Sequence, residues 1–361
     1  MTGQLLGFFA PWLIFAGVLA LHLLLPARRV TGYVREERSG ELIAYRLNGA
    51  AVCAVSVGVW LALGFSGAMP WDWLWQHRWS GAAGAMVLGL LASAAAVLAA
   101  PGGGRSLLAE LYLGRRANPQ MFNGRADAKM FLYLAGATLL QLNVLAFAAH
   151  HFTAFPDDPS PGVVLYAVLL SWFVGDYLVF ERVHLYTYDL FAERLGFKLV
   201  WGCLCWYPYF YAVGLWSVAD LENPGSPLWW LVMSAVVFFA GWVLARGANL
   251  QKFTFKRDPE QVFLGWFAPR ALTDGARRVL CSGFWGVSRH VNYLGELLMA
   301  CGLALSLGWP LVLGPWLYPL YYVALLLPRE RDDDRRCAAK YGPLWEQYRR
   351  EVPWRIVPRL Y

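Results

Sequence analysis

The sequence predicts an all-α, polytopic integral membrane protein with about nine to ten transmembrane helices. Hydrophobic residues make up 58% of its 361 positions and charged residues only 15%, against roughly 45–50% and about 25% in soluble globular domains. Apolar runs close to the length that crosses about 30 Å of hydrocarbon recur along the chain. Between them, 30 of the 31 Lys and Arg residues fall in alternate connecting segments.

Taken in order, the spans are read at 5–26, 47–69, 80–101, 128–150, 161–181, 197–218, 226–246, 291–308 and 310–327. The start, MTGQLLGFFAPWLIF, lacks a positive n-region and a small-residue cleavage site, so the first helix is expected to stay in the mature protein. The last two spans are short and joined at Gly308-Trp309-Pro310. Segments 27–46, 102–129, 182–198 and 246–290 and the tail after 328 hold the positive charge, and only Arg78 falls on the other side. The excess of Lys and Arg in cytoplasmic loops then places the N-terminus outside and the C-terminus in the cytoplasm, in a bacterial inner membrane or the endoplasmic reticulum. The net charge of +7 is spent on this asymmetry and implies no nucleic acid.

Six scattered cysteines form no CxxC pair and no even framework, so neither zinc nor a disulfide scaffold is expected. Gly102-Gly103-Gly104 lies outside any βαβ pattern and is a loop, not a dinucleotide fingerprint. His150, His151 and His290 do not make a metal site, and no metal is expected. A cofactor must therefore sit among helices and cytoplasmic loops.

The most informative polar stretch runs from Arg246 to Tyr293, where Lys252, Lys256, Arg257, Arg270, Arg277, Arg278 and Arg289 alternate with aromatics. Such a loop can hold phosphates and stack a flat ring. It is equally what an ordinary cytoplasmic loop collects. Asp176 and Glu181 lie in the fifth span and Asp189 follows it. The sixth span gathers Trp201, Trp206, Tyr207, Tyr209 and Tyr211 around Pro208, a residue that breaks backbone bonding and often lines a cavity. A tail helix from about Asp333 is expected to bring Cys337, Tyr341, Leu344 and Tyr348 to one face, either as a lid over a ligand or as a surface helix.

Five blocks resemble the sterol reductase family, which reduces the 14-, 7- or 24(28)-double bond of sterols with NADPH. They are GRRANPQMFNGRADAKMF (114–131), FVGDYLVFERVHLYTYD (173–189), WGCLCWYPYFY (201–211), the 246–293 stretch, and RCAAKYGPLWEQYRREVPWRIVP (336–358). The resemblance implies a catalytic core over 111–361, after N-terminal helices in 1–110, with a cofactor loop at 246–293, a cytoplasmic tail at 328–361 and a cofactor pocket on the cytoplasmic side of the C-terminal half. By position it implies NADPH contacts at Lys252, Lys256 (arginine in the family), Leu280, Trp285, Asn292, Tyr293, Asp333, Cys337, Ala338, Ala339, Lys340, Tyr341 and Tyr348. It implies alkene protonation followed by hydride transfer, with Tyr211, Asp189 and Glu181 as candidate acids, and a sterol or related polycyclic isoprenoid among membrane lipids as partner. The sequence departs from the family at Cys203, where aspartate is usual, and at 133–137, Gly214 and Pro328. A methyltransferase of the isoprenylcysteine carboxyl type shares an Arg289-His290 and Tyr293 arrangement with S-adenosylmethionine as cofactor, but lacks the QKFTFK and GRRANP segments. A non-enzymatic sterol-binding protein is the third reading.

Overall fold

The computed structural model describes residues 2–36, 40–102 and 104–361. The chain is 66% helical and divides into two compact units, Met1–Pro224 and Gly225–Tyr361.

In the first unit, α1 (Thr2–Leu24) leads into a hairpin of β1 (Arg28–Arg35) and β2 (Leu42–Leu47), which turns the basic 27–46 segment into antiparallel strands. Its β-formers Ile43 and Tyr45 are buried with Met130, Leu185 and Leu190. Then come α2 (Gly49–Phe65), α3 (Trp73–Gln76), α4 (Arg78–Leu98) and α5 (Leu107–Leu113). A short pair, β3 (Gln120–Met121) and β4 (Ala126–Asp127), precedes α6 (Ala128–Ala154). Asp127 starts α6 by accepting from the Met130 amide at 3.0 Å, an N-cap. The apolar window of α6 is 83% buried, against 28–39% for the other long apolar helices, so α6 is the core around which the first unit packs.

After α7 (Pro161–Val179), α8 (Glu181–His184) and α9 (Tyr188–Phe191), the sixth expected span is not one helix. It is α10 (Phe197–Trp201), a π-turn at Gly202–Trp206, α11 (Tyr207–Phe210) and α12 (Val213–Val218). Pro208 has no N–H to give, and the chain widens so that the Tyr207 amide reaches the Gly202 carbonyl. Carbonyls freed by the break find side chains: Asn143 Nδ2 donates to Pro208 O at 2.9 Å and Tyr166 Oη to Tyr211 O at 3.0 Å.

The second unit corrects two expectations. Its first helix, α13 (Leu228–Arg257), runs unbroken past Arg246, so Lys252 and Lys256 lie on a helix and the loop begins only at Asp258. That loop carries the hairpin β5 (Ala271–Thr273) and β6 (Arg278–Leu280) and a 3₁₀ turn at Gly283–Gly286. Next, α14 (Val291–Ser306) packs against α13 through glycines. A Cβ on Gly295 would stand 2.4 Å from the Ala245 amide nitrogen, and one on Gly302 2.7 Å from that of Phe238. Small residues are what allow two membrane helices this close.

The second correction concerns the end of the chain. The expected span 310–327 and the tail helix are one element, α15 (Leu313–Tyr341), continuous through Pro319 and Pro328. It stops at Gly342, whose φ of 55° suits a residue without Cβ, and α16 (Pro343–Glu351) sets off anew. Cys337, Tyr341, Leu344 and Tyr348 still meet in one apolar cluster with Trp345, but across a corner instead of along one helix.

Among the described residues, five helices are long and apolar enough to cross a membrane: α1, α4, α6, α7 and α13. Two shorter apolar helices, α2 and α14, accompany them.

Candidate functional site

In the second unit, the residues that the sequence singled out as cofactor contacts come from all four helices, from β6 and from the 3₁₀ turn. The ammonium of Lys252 stands 5.1 Å from the centre of the Trp285 ring, a cation–π approach. Trp285 is held from both ends, its Nε1 donating to Ala248 O at 2.8 Å and its carbonyl accepting from Tyr348 Oη at 2.8 Å. Lys256 lies within electrostatic reach of Lys252, Lys340 and Asp333. Three lysines facing one region, countered by Asp333, suit a ligand with several negative charges.

Asn292 and Tyr293 begin α14. Asn292 Oδ1 is buried and has no hydrogen-bond partner among the described residues, and a buried orphan acceptor is a group that a ligand donor would satisfy. Tyr293 is buried and stacks on His290, ring centres 5.0 Å apart. Leu280 is buried on β6, and Ala338 packs on the Tyr348 cluster. Cys337 is half-buried, and burial reinforced by Asp333 pushes its thiol up to about 12, so it is no thiolate nucleophile. Ala339 is exposed, on the side of α15 away from Tyr341. Lys252 and Trp285, Tyr348 and Ala338, and Asp333 with Cys337 and Lys340 are thus linked among the candidate contacts, whereas Ala339 faces away.

What holds them together was, Arg289 apart, not singled out in the sequence. Asp334, 5% exposed, accepts from Arg289 Nη1 at 3.1 Å, from Trp345 Nε1 at 3.0 Å and from Arg349. Burial acts to raise its carboxyl, but the bonds from Arg349 and Trp345 and the charge of Arg289 hold it below the usual range. Fully buried Glu330 pairs with Arg355 at 3.1 Å. The amides of Arg289 and His290 donate to the carbonyls of Trp354 and Arg355 at 3.0 and 2.8 Å. The C-terminal segment therefore clasps the residues that precede Asn292.

Burial, reinforced by the charges of Lys252 and Arg289, pushes His290 down to about 3, from an ordinary value near 6.5. The folded protein then binds fewer protons than the unfolded chain between those values, so stability falls as pH drops through that window. Acidification from pH 6.5 to 5 should cost at most about 2 kcal/mol, at roughly 1.4 kcal/mol per unit. Thermal unfolding in detergent should show this loss, and His290→Gln should flatten it. An unchanged slope in the variant would exclude His290 as its cause.

In the first unit, Tyr177 of α7 lies within electrostatic reach of Asp189 and Glu181 and near Tyr207 and Cys203. It stacks on His184 with ring centres 3.9 Å apart and lies 5.9 Å from Tyr133. The Tyr211 ring meets that of Tyr207 edge-on at 4.6 Å. Asp189 and Glu181 therefore lie near Tyr177, and Tyr211 joins them through Tyr207. Tyr177 was overlooked in the sequence, although it stands between Asp176 and Glu181 in an otherwise apolar span. Glu181 has a structural task too: its Oε2 accepts from the Gly49 amide at 3.0 Å and caps α2. Lys129, with no exposed surface, donates to the carbonyls of Asp189, Leu190 and Glu193 and so anchors the segment that carries Asp189. Among the described residues, no group of three or more His, Cys, Asp or Glu is placed to hold a metal ion.

Comparison with known proteins agrees in one direction. The chain is 36% identical over 260 residues to a delta(14)-sterol reductase of Arabidopsis thaliana, covering 71% of this chain and 67% of the relative. It is 34% identical over 255 residues to a delta(14)-sterol reductase of the bacterium Methylotuvimicrobium alcaliphilum, covering 70% of this chain and 58% of that protein's length. Against a delta(14)-sterol reductase of Mus musculus, identity is 33% over 374 residues, 98% of this chain and 86% of the relative. A model of the ergosterol biosynthesis ERG4/ERG24 family matches residues 2–361. With a match of that extent, the chain belongs to the ergosterol biosynthesis ERG4/ERG24 family, that of the sterol reductases.

Proposed function

We propose that this membrane protein reduces a carbon–carbon double bond of a sterol or related polycyclic isoprenoid with NADPH. The delta-14 bond comes first and delta-7 second, because the relatives named above are delta(14)-sterol reductases. The observation that carries the reading is Lys252 beside Trp285, with Lys256 and Lys340 within electrostatic reach and Asn292 Oδ1 unsatisfied among the described residues of the same unit. The lysines would hold phosphates, Trp285 would stack on a ring, and Asn292 would accept from the carboxamide N–H₂. When bound, NADPH supplies hydride to the carbon that protonation leaves cationic. The proton comes from Tyr211, with Asp189 and Glu181 behind it, and aromatic rings of the neighbourhood favour the cationic carbon. One proton and one hydride add across the alkene, and nothing leaves.

The purified protein in detergent, given NADPH and a panel of sterol dienes, should yield products two mass units heavier than the substrate. Methylated products formed from S-adenosylmethionine, or sterol binding without turnover, would overturn the reading in favour of a methyltransferase or a binding protein. The charge pattern further supports a cytoplasmic C-terminus. Reporter fusions after Pro269 and Tyr361 should report the cytoplasm and a fusion near Asp158 the opposite side; a cytoplasmic signal at Asp158 would refute that topology.

A further inference from the structure

The loop after α13 contains one stretch that its charge does not explain. Residues 261–272, QVFLGWFAPRAL, carry no acidic side chain and a single base, Arg270. They fold into a tight turn closed by two bonds between Phe263 and Phe267, amide to carbonyl in both directions at 3.0 Å. At its tip Leu264 and Gly265 both have positive φ, 54° and 73°. Glycine adopts that conformation freely, whereas leucine does not. The tip nevertheless presents Leu264 at 67% exposure and Trp266 at 87%, with Val262 and Phe267 also exposed. Trp266 is the most exposed tryptophan among the described residues. A turn in water would place polar residues there.

Its depth explains the chemistry. The apolar run of α13 extends from Leu228 to Ala245 and ends at Arg246, so the helix leaves the hydrocarbon near Gly247. The turn does not follow α13 outward to Arg257 but folds back to that level. Phe263 and Phe267 pack on Phe284, centres 6.4 and 5.9 Å apart. Phe284 in turn presses on Gly247, where a Cβ would lie 2.4 Å from its ring. The segment is pinned there: the Phe284 amide donates to Gln251 Oε1 at 3.0 Å, and Trp285 Nε1 to Ala248 O at 2.8 Å.

We propose that the 262–267 turn dips into the bilayer interface, so that Leu264 and Trp266 lie among lipid glycerols and upper acyl chains. Tryptophan prefers that layer, and a leucine beside it reaches the apolar side. The occupant of this surface is the lipid in which α13 sits. The turn would tie the loop that presents Trp285 to the membrane plane.

The test uses the full chain reconstituted in phosphatidylcholine–phosphatidylglycerol vesicles. A nitroxide is attached at Trp266→Cys, with identically treated wild type as the background for native thiols, and at Asp274→Cys in the exposed β5–β6 turn as reference. Collisions with oxygen should exceed those with a water-soluble nickel chelate at 266, and the order should reverse at 274. Equal chelate access at both positions would overturn the proposal. Spectral broadening between labels at 266 would also overturn it, because a second copy would then cover the turn. Leu264→Cys carries the same expectation should Trp266→Cys fail to fold.

Discussion

Tyr211→Phe is expected to lower turnover on a sterol diene by at least tenfold while leaving NADPH affinity nearly unchanged. General acids contribute about 10²–10⁴-fold, which bounds the loss. Tyr211 follows the π-turn and Pro208, with its ring against Tyr207. The family's aspartate in this span is Cys203 here, which feels the charge of Asp189. If proton supply leans on that neighbour, Asp189→Asn should also slow turnover, and Cys203→Asp should raise it. Glu181 needs a different control because it caps α2: Glu181→Gln keeps an acceptor for the Gly49 amide and separates the cap from the charge. Full activity in Tyr211→Phe, together with a folded but inactive Asp189→Asn or Glu181→Gln, would make a carboxylate the donor.

The second large effect belongs to the lysines. Calorimetry in detergent should show Lys252→Ala and Lys256→Ala each weakening NADPH by about ten- to hundredfold, since a charge-assisted hydrogen bond is worth roughly 1.5–3 kcal/mol. Lys256→Arg should retain most of the affinity, because arginine presents the same charge to a phosphate. The variant that abolishes preference for NADPH over NADH identifies the lysine at the 2′-phosphate. Lys252 should also be the more disruptive when truncated, because its ammonium faces Trp285 as well. Unaltered NADPH binding in both variants would remove this face from the cofactor site.

Much was legible in the sequence because hydropathy, charge and motif spacing are local. Apolar length identifies a membrane protein, and the five helices α1, α4, α6, α7 and α13 start and end within a few residues of the expected spans, save α13 at its far end. That exception is instructive. Lys252, Lys256 and Arg257 read as loop by polarity, yet nothing in QKFTFK breaks a helix, and backbone bonding carries α13 on into water. The last expected span errs in the same direction: it ends at 327, but α15 passes Pro328, and Gly342, free to take positive φ, ends the helix. Tertiary structure alone decided what depends on residues far apart in the chain. It brought Tyr177, Cys203, Tyr207 and Asp189 into one neighbourhood, and it joined Arg289 and Arg349 on the buried Asp334. Backbone bonds from Arg289 and His290 to Trp354 and Arg355 have no side-chain signature at all. A carbonyl accepts whatever residue carries it, so only the path of the chain determines which amide it meets.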